Sequence, residues 1–464
     1  MKHKNLINKI KTLTIMLLAV PFFAIAQNNV PPQRPVVQTK FTADPAPMVY
    51  NDTVYLYTSH DEDDAQGFKM VDWLLYTSTD MVNWTEHGAV ASLKDFKWAR
   101  QDNGAWAVQC IERNGKFYLY CPVHGGGIGV LVADSPYGPF TDPIGKRLIE
   151  TEHTWNDIDP SPFIDDDGQA YLFWGNPDVY YVKLNNDMIS LAGEIVKEPT
   201  KPKNYQEGPW VWKRNEHYYL AYASTCCPEG IGYAMSKSIT GPWEYKGMIV
   251  DASELTRGNH PGIIEYKGKS YCFGHSYDVL KKTTSKFYER RSVDMDEIVY
   301  NPDGTIQNRK YFSVEGPAQV GTLNPFVRVE AETMAWSEGI KTNFETEWEG
   351  AFEWNRGEKI ADRLYATSIH NGDYVMVQGV DFKSGAKLVD VSVSPLFGGT
   401  IEIRADKIDG PVIATVKVGP QGEGGKWKTI SAPVSKVNGV HDVYFVFKGE
   451  KDLFDFDWWQ FTKN

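Results

Sequence analysis

One hairpin phrase recurs five times in the first two thirds of the chain, and this repeat restricts the fold more than any other feature. Each copy is an alternating strand, a tight turn and an aromatic-rich strand: ADPAPMVYNDTVYLYTSH, GAWAVQCIERNGKFYLYCPV, DIDPSPFIDDDGQAYLFWG, EGPWVWKRNEHYYLAYAS and NHPGIIEYKGKSYCFGHS. Successive copies are about 50 to 60 residues apart, the length of one four-stranded propeller blade. Sandwiches also contain short strands, but the fivefold recurrence favours an all-β, five-bladed propeller over residues 38–318.

One position is equivalent in every copy of the phrase, about seven or eight residues before its turn. It holds Asp44, Trp106, Asp159, Glu207 and His260. Because equivalent positions of a repeat occupy equivalent places in space, we expect these side chains to converge on the propeller axis. Ionising three converging carboxyl groups together is unfavourable, because the repulsion between their negative charges raises the pKa of at least one of them. Such a set provides the acid and the base that cleavage of a glycosidic bond needs.

The same residues also have structural interpretations. Asp44 and Asp159 each precede a proline, and an Asp-Pro pair often begins a turn. A central His260 either ligates an ion, bonds a carboxylate or is only structural. The position that the three acids share favours a site over unrelated turns. The acidic run at residues 61–64, by contrast, is interpreted as a solvated loop, with the lining of a substrate cleft as the alternative.

The first 26 residues have the pattern of an export signal. A lysine-rich start precedes a short apolar run at residues 12–23, and Ala24-Ile25-Ala26 forms a cleavage site. The apolar run is too short to span a bilayer comfortably, so no membrane span is expected. The pattern predicts removal of residues 1–26 and a periplasmic or extracellular location.

Charge and cysteine content limit the partners and the cross-links. A net charge of −12 argues against nucleic acid and anionic membranes as partners. The cysteines are odd in number, so at least one is expected to be unpaired. The adjacent Cys226 and Cys227 are not expected to bond to each other, and Cys110 and Cys121 lie diagonally across one hairpin. No motif indicates an organic cofactor, and the oligomeric state is left open.

The residue pattern of the sequence changes after the last repeat. Residues 319–326 contain Gly and Pro and are predicted to be a linker. Residues 327–464 contain about eight alternating strands, and their length suits a β-sandwich of jelly-roll type.

The motifs of the first domain resemble those of glycoside hydrolase family 43. The matching residues are Asp44-Pro45, Asp159-Pro160 with the FIDDDG turn, and the EGPW phrase that begins at Glu207. The resemblance implies a five-bladed propeller and an inverting mechanism. It assigns Asp44 as the general base and Glu207 as the general acid, with Asp159 orienting Glu207 and favouring its protonated form.

Weaker matches to the same family extend this set of residues. The resemblance places His275, in FGHS, near a central ion that is often calcium, and Arg291, in RSV, near the sugar. Trp106 and His260 are expected to contact substrate as well, because they share the position of the acids in the repeat.

Three phrases are similar to those of family members that act on arabinoxylan and xylan: TSHDEDD, STDMVNW and RSVDMDEIVYNPDGTI. They imply an exported enzyme that removes terminal α-L-arabinofuranosyl residues from arabinoxylan or a related plant cell-wall polysaccharide. The alternatives are a β-D-xylosidase acting on xylo-oligosaccharides, a non-catalytic glycan-binding protein and a retaining enzyme acting on fructosides.

The C-terminal region resembles carbohydrate-binding module family 6 through VEAET, NGDYV and DFDWW. The resemblance implies a structural calcium ion held by Glu330, Glu332 and Asp457. It also places Trp427 at a stacking position in a sugar-binding cleft.

Overall fold

Five antiparallel sheets, one from each hairpin phrase, make the predicted five-bladed propeller. The computed structural model describes residues 35–153, 157–253, 259–345, 363–420 and 426–464. In every blade the first strand of the phrase is innermost, and the innermost strands contact one another in a closed cycle. This cycle brings the beginnings of the phrases together at the axis, as the repeat predicts.

The blades are built from strands β1 to β18. The first contains β1 (Phe41–Tyr50), β2 (Thr53–Asp61), β3 (Asp72–Ser78) and β4 (Trp84–Ser92), and a 3₁₀ helix (Leu93–Asp95) follows it. The second contains β5 (Gln109–Arg113), β6 (Lys116–Val123) and β7 (Gly127–Ala133). The third contains β8 (Ser161–Ile164), β9 (Ala170–Trp174), β10 (Tyr180–Leu184) and β11 (Val196–Lys197). The fourth contains β12 (Tyr205–Arg214), β13 (His217–Ser224), β14 (Gly230–Ser236) and β15 (Glu244–Val250). The fifth contains β16 (Gly262–Tyr266), β17 (Lys269–Ser276) and β18 (Ser292–Ile298), with helix α1 (Asp278–Thr283) before β18.

Tight two-residue turns join the first two strands of the first, second, fourth and fifth blades, and a five-residue loop joins those of the third. Asn51-Asp52 and Asn114-Gly115 have positive φ at both residues, the conformation of type I′ turns. Asn, Asp and Gly adopt this region more easily than other residues. The turns lie where the sequence predicts them, so the register of each hairpin follows from local turn chemistry.

The blades are less uniform than a strict four-stranded repeat predicts, because the second and fifth sheets contain three strands. In the second blade an isolated bridge between Val132 and Thr141 lies at the outer edge in place of a fourth strand. The turn predicted at residues 301–304 is present, since Gly304 N–H donates to Asn301 O at 3.0 Å.

The C-terminal part is the predicted β-sandwich, made of two antiparallel sheets. One sheet has the order β22-β23-β30-β25-β28 with β19 beside β30, and the other has the order β21-β24-β29-β26-β27. The strands of the two sheets are β19 (Val329–Glu330), β21 (Trp336–Glu338), β22 (Lys341–Glu345), β23 (Arg363–Thr367), β24 (Tyr374–Asp381), β25 (Ala386–Pro395), β26 (Gly399–Ala405), β27 (Val412–Val418), β28 (Lys428–Pro433), β29 (Val440–Lys448) and β30 (Phe454–Lys463). The short strand β20 (Thr333–Met334) lies outside both sheets.

Alternation of side chains builds the core of this sandwich. On β25 the side chains of Val389, Val391 and Val393 are fully buried, and they belong to one core cluster with Trp459 of the neighbouring strand β30 and Phe445 of the opposite sheet. The alternation therefore identifies the inward face correctly. The short strands β21, β22 and β23 lack a clear alternating pattern and are not predicted from the sequence.

The two domains share a sheet. Strand β20 pairs with β4 and adds a fifth strand to the first blade. The segment predicted as a linker is also held on both sides: Val320 N–H donates to Asp80 O at 2.9 Å, and Leu323 N–H donates to Gly379 O at 3.0 Å. The domain boundaries themselves stay a prediction.

Buried polar contacts reinforce this junction. The Asn83 side chain accepts from Gln378 N–H at 2.8 Å and donates to Gln378 O at 2.8 Å. Glu86 is buried in the first blade and accepts from Thr342 Oγ1 at 2.9 Å. Because these groups are withdrawn from water, each contact with the other domain replaces a hydrogen bond to water that folding removes.

The prediction for the adjacent cysteines is wrong, because Cys226 and Cys227 form a disulfide. They lie in the short loop between β13 and β14, which brings the two sulfur atoms together. Cys110, Cys121 and Cys272 are free and buried.

The export signal predicted at residues 1–26 lies outside the described residues. Among the residues that are described, no helix has the length and apolar run needed to cross a bilayer.

The contact between Asn83 and Gln378 predicts that Asn83→Ala destabilises the junction of the two domains. The substitution removes the acceptor for Gln378 N–H and should lower the free energy of unfolding by about 1–3 kcal/mol. Urea denaturation followed by tryptophan fluorescence measures this, with Asn343→Ala on the exposed face of β22 as the control. Equal stability of the two variants would show that the contact contributes nothing to the junction.

Candidate active site

The three predicted carboxyl groups converge on one imidazole ring. His260 Nδ1 lies 3.9 Å from Asp44 Oδ1, and His260 Nε2 lies 3.9 Å from Asp159 Oδ2 and 3.8 Å from Glu207 Oε1. The acids at three of the five equivalent positions of the repeat therefore lie within 3.9 Å of the histidine at a fourth. Residues that follow these positions along the chain line a pocket at the same place: Pro45, Ala107, Pro160, Pro209 and Pro261.

Local backbone irregularities aim the acids at the axis. The β1–β2 register shifts between Ala43 and Ala46, around Asp44, and Asp44 itself has a φ of 51°. Asp159 has a φ of 63°. Non-glycine residues rarely adopt this region, and where they do the surrounding structure must hold them. Such bulges re-aim side chains next to active sites.

Gly208 allows the acid on β12 to approach the ring. Its φ is 61°, and a Cβ at this position would lie 3.0 Å from the imidazole of His260. The β12–β13 register is shifted on both sides of Glu207. A side chain at residue 208 would therefore push His260 away from the carboxyl groups.

Asp44 is held in its charged form. Arg291 Nη1 donates to Asp44 Oδ1 at 2.8 Å, and Ser59 Oγ donates to Asp44 Oδ2 at 2.7 Å. Burial by itself raises the pKa of Asp44, but the charges of Arg291, His260 and His275 and the Ser59 hydrogen bond bring it below its ordinary value. A carboxylate that stays ionised is suited to accept a proton.

Arg291 is itself fixed by a second acid that the sequence does not single out. Asp61 accepts from Arg291 Nε and Nη2, both at 2.9 Å, in a bidentate pair. Asp61 is wholly buried, so the interpretation of its acidic run as a solvated loop is wrong at this residue. Arg291 is buried too, and it contacts the two carboxylates; its predicted contact with sugar stays a prediction.

Asp159 is more deeply buried than Glu207, and it accepts a hydrogen bond from Gly208 N–H at 3.1 Å. Burial raises the pKa of Asp159, His260 opposes this, and the charges of Glu207 and Asp44 add to the rise. The two aspartates therefore differ in their readiness to hold a proton, because only Asp44 has an arginine partner.

Glu207 has one direct partner that the sequence does not indicate. Asn176 Nδ2 donates to Glu207 Oε2 at 2.5 Å from the loop that follows β9. Glu207 is more exposed than Asp44 and Asp159, so it is the acid that an incoming molecule meets first. The signal for Asn176 is its place directly after the second strand of a phrase.

The imidazole of His260 favours its positively charged form and lies next to all three acids. Burial lowers the pKa of His260, but the charges of Asp159 and Asp44 and the contact with Glu207 raise it above its ordinary value. An imidazolium at this position offsets part of the repulsion among the three acids.

Trp106 lies at the rim and its ring stacks on His124, with centroids 3.9 Å apart. Phe68 lies 6.2 Å from Trp106 and 5.1 Å from the guanidinium carbon of Arg291, and it is 41% exposed. These rings form an aromatic side of the site. Phe68 lies in an irregular loop and is not predicted from the sequence.

His275, the residue predicted to lie near a central ion, is in the interior of the fifth blade. His275 is fully buried, and its backbone N–H donates to Asn259 Oδ1 at 3.0 Å. Among the described residues, the clusters of three or more metal-ligating groups do not include His275. The central calcium ion stays a prediction.

The predicted calcium ligands of the sandwich lie on or beside the paired strands β19 and β30, but their oxygens do not form one of the clusters of three or more metal-ligating groups among the described residues. Glu332 is buried, and its Oε2 has no hydrogen-bond partner among the described residues. Burial raises the pKa of Glu332, and the charges of Glu330, Glu86 and Asp457 add to this. Arg328 lies between the other two acids, with Nη2 at 2.7 Å from Glu330 Oε2 and 3.3 Å from Asp457 Oδ1. The oxygen donors suit calcium, and Arg328 would compete with it.

Trp427 lies in a cluster of polar and aromatic side chains on the sandwich. Its indole N–H donates to Glu345 Oε2 at 2.6 Å, and the guanidinium carbon of Arg363 lies 4.9 Å from its ring centroid. Tyr365 packs edge-on against the same ring. Part of the surface predicted to stack on sugar is therefore covered by Arg363.

A five-bladed propeller with three carboxyl groups at its axis is the arrangement of a glycoside hydrolase, which needs paired acids at one pocket. The model of Glycosyl hydrolases family 43 matches residues 32–306, and the model of Carbohydrate binding module (family 6) matches residues 330–463. The chain belongs to glycosyl hydrolases family 43, and its C-terminal domain is a family 6 carbohydrate-binding module.

Curated relatives and a solved structure cover nearly the whole chain. An arabinoxylan arabinofuranohydrolase of Bacillus subtilis is 34% identical over 92% of this chain and 92% of its own length. One of Paenibacillus polymyxa is 33% identical over 93% of this chain and 74% of its own length. The crystal structure of a family 43 arabinoxylan arabinofuranohydrolase from Bacillus subtilis, in complex with cellotetraose, has a TM-score of 0.80 at 33% identity, covering 93% of this chain and 98% of that one.

The contacts of Arg291 predict a shifted pH dependence in Arg291→Gln. Without the guanidinium, burial raises the pKa of Asp44, so this group is protonated over more of the acidic range. The acidic limb of the kcat/KM profile should move to higher pH, and kcat should fall roughly 100-fold or more.

Two variants check this interpretation. Arg291→Lys keeps the charge but loses the bidentate geometry. The acidic limb of its kcat/KM profile should lie between those of the unchanged protein and of Arg291→Gln. Arg290→Gln, next in the chain, should keep the original profile because Arg290 Nε contacts only the carbonyl of Ala65 among the described hydrogen bonds. An unchanged acidic limb in Arg291→Gln would contradict the role of Arg291.

Proposed function

We propose that the chain is an inverting, exo-acting enzyme that releases terminal α-L-arabinofuranosyl residues from arabinoxylan or a related plant polysaccharide. The observation that carries this proposal is the convergence of Asp44, Asp159 and Glu207 on His260, each with a carboxyl oxygen within 3.9 Å of a ring nitrogen. Burial raises the pKa of both aspartates, but Arg291 brings that of Asp44 below its ordinary value, which supports different roles for the two. The names of the two relatives that align with more than nine-tenths of the chain support the substrate.

In the proposed mechanism Asp44 activates a water molecule and Glu207 protonates the leaving oxygen. An inverting pair needs about 6.5 to 9.5 Å between its carboxyl groups, which leaves room for the water. The imidazole of His260 contacts Asp44 through Nδ1 and Glu207 through Nε2, so the ring lies between the two acids. A ring between the two acids keeps their carboxyl groups apart, which is consistent with attack by a water molecule.

Asp159 and Asn176 would then position the proton donor. Asp159 holds the backbone of Gly208, next to Glu207, and Asn176 donates to Glu207 Oε2. Both contacts restrict the rotation of the Glu207 side chain, so its proton is directed at one place in the pocket.

A product analysis tests the proposal. Incubation with arabinoxylan should release arabinose as the main monosaccharide, whereas xylose from xylo-oligosaccharides would indicate the alternative β-D-xylosidase. Proton NMR during the first turnovers should show the β-anomer of arabinose, because inversion converts an α-linked sugar to the opposite anomer. First release of the α-anomer would contradict the mechanism.

Matched acid variants connect this activity to the site. Glu207→Gln should lower turnover roughly 10²- to 10⁴-fold, because the leaving oxygen loses its proton donor. Glu216→Gln, in the exposed turn of the same blade, should retain activity. Near-normal turnover in Glu207→Gln would remove Glu207 as the acid.

We propose further that the protein is exported by residues 1–26, which have the pattern of a signal peptide. Release of sugar from a plant polysaccharide requires contact with a polymer outside the cell, and this agrees with export.

We propose that calcium stabilises the sandwich through Glu330, Glu332 and Asp457. The buried Glu332 oxygen without a partner supports this, because a cation would supply the missing interaction. Saturating calcium, at about 100 times its Kd, would add about 2.7 kcal/mol to stability. The Tm of the full chain should therefore rise by several degrees with calcium and return with a chelator.

The control for this effect is a second glutamate. Glu332→Gln should lose the response to calcium, while Glu338→Gln, on an exposed part of β21, should keep it. If the original chain shows the same Tm with calcium and with a chelator, the site does not bind this ion.

A further inference from the structure

Five loops at one end of the propeller surround the candidate active site. The inner strand of each blade begins near the axis and runs to the hairpin turn, and the second strand returns. The loop after every second strand therefore lies at the end where the acids converge. These loops are residues 62–71, 124–126, 175–179, 225–229 and 277–291.

Four of the five loops place a side chain on the site. Phe68 lies 5.1 Å from the guanidinium of Arg291, and Arg291 itself lies on the last of the loops. His124 stacks on Trp106, and Asn176 donates to Glu207. This shared behaviour identifies the loop after each second strand as the rim of the pocket.

The remaining loop, after β13, carries the disulfide between Cys226 and Cys227. Both residues are exposed. Ala223 is the cross-strand partner of Glu207, so the disulfide begins three residues beyond the neighbour of the acid, at most about 10 Å away. One hydrogen bond joins this loop to the segment before β12: Thr225 N–H donates to Asn204 O at 3.0 Å.

An exposed disulfide presents a surface unlike the other side chains of this rim. Its two sulfur atoms are polarizable and carry no hydrogen to donate, so they favour contact with C–H groups rather than with water. A furanose or pyranose ring presents such C–H groups alongside its hydroxyls. Because the two sulfurs are bonded to each other, little side-chain freedom is lost when a ligand packs against them.

We propose that the Cys226–Cys227 disulfide forms an apolar wall of the substrate site and packs against the sugar bound beside Glu207. The proposal rests on the proposed function, since it takes the ligand at Glu207 to be a sugar. It extends that function by naming a contact that sets the affinity for substrate without taking part in bond cleavage.

Reduction offers a way to remove this wall in the intact protein. A dithiol reductant breaks the Sγ–Sγ bond, leaves two thiols on the protein and is itself oxidised to a cyclic disulfide. The other three cysteines are free and buried, so this bond is the one that a reductant would change. Two separate thiols would turn independently and acquire weak polar character.

The test compares the full-length protein, oxidised or treated with dithiothreitol, with the double variant C226S/C227S. Each form is assayed with an aryl α-L-arabinofuranoside and with an arabinoxylo-oligosaccharide. We expect reduction and substitution each to raise KM about 3- to 10-fold for the oligosaccharide, with kcat within about twofold. If KM rises equally for the aryl substrate, the disulfide contacts the arabinofuranosyl residue that both substrates share. If KM rises only for the oligosaccharide, the disulfide contacts the xylose part of the leaving group.

The controls separate this contact from a structural role. Glu216→Ala lies at the far turn of the same strand pair and should leave KM unchanged. Dithiothreitol should have no effect on the double variant. Unchanged KM for both substrates on reduction would overturn the proposal even if the double variant does not fold. Absence of turnover by every form would instead refute the proposed function.

Discussion

The ion pairs of Arg291 with Asp44 and Asp61 are the interaction on which the rest of the site depends. Arg291 directly precedes the last strand of the fifth blade, whereas both aspartates belong to the first blade. All three are buried, and a buried charge without its partner is strongly destabilising. The charges are therefore satisfied only when the propeller has closed between its first and last blades.

This closure connects the fold to the chemistry. Backbone hydrogen bonds from Thr42 to Arg291 and from Val36 to Val293 join the same two blades, so Asp44 and its arginine are fixed relative to each other. The arginine keeps Asp44 ionised while the same burial raises the pKa of Asp159, which has no arginine. One low-dielectric environment thus gives two aspartates different protonation.

The sandwich contributes to this first blade rather than being tethered beside it. Its strand β20 extends the sheet that contains β1 and β2, and the buried Glu86 of β4 depends on Thr342. The strand order of the first blade, and with it the position of Asp44, is therefore supported from both domains. A carbohydrate-binding module attached in this way is also part of the structural support of the catalytic domain.

The hairpins, their turns and the converging positions of Asp44, Asp159, Glu207 and His260 could all be predicted from the sequence. They depend on local turn chemistry and on a repeat, and both are visible along the chain. The roles of Asp61, Asn176 and Phe68 could not be predicted, because each acts on a residue of another blade or of a distant loop. The Cys226–Cys227 bond depends on a loop conformation that alternation does not encode.

The sequence by itself determined which residues begin each inner strand, since alternation and turn residues act over a few positions. Only the tertiary structure decided which charges face one another. The pKa of a buried carboxyl group depends on the neighbours that folding brings within a few ångströms, and for Asp44 the strongest of these is 247 positions away in the chain.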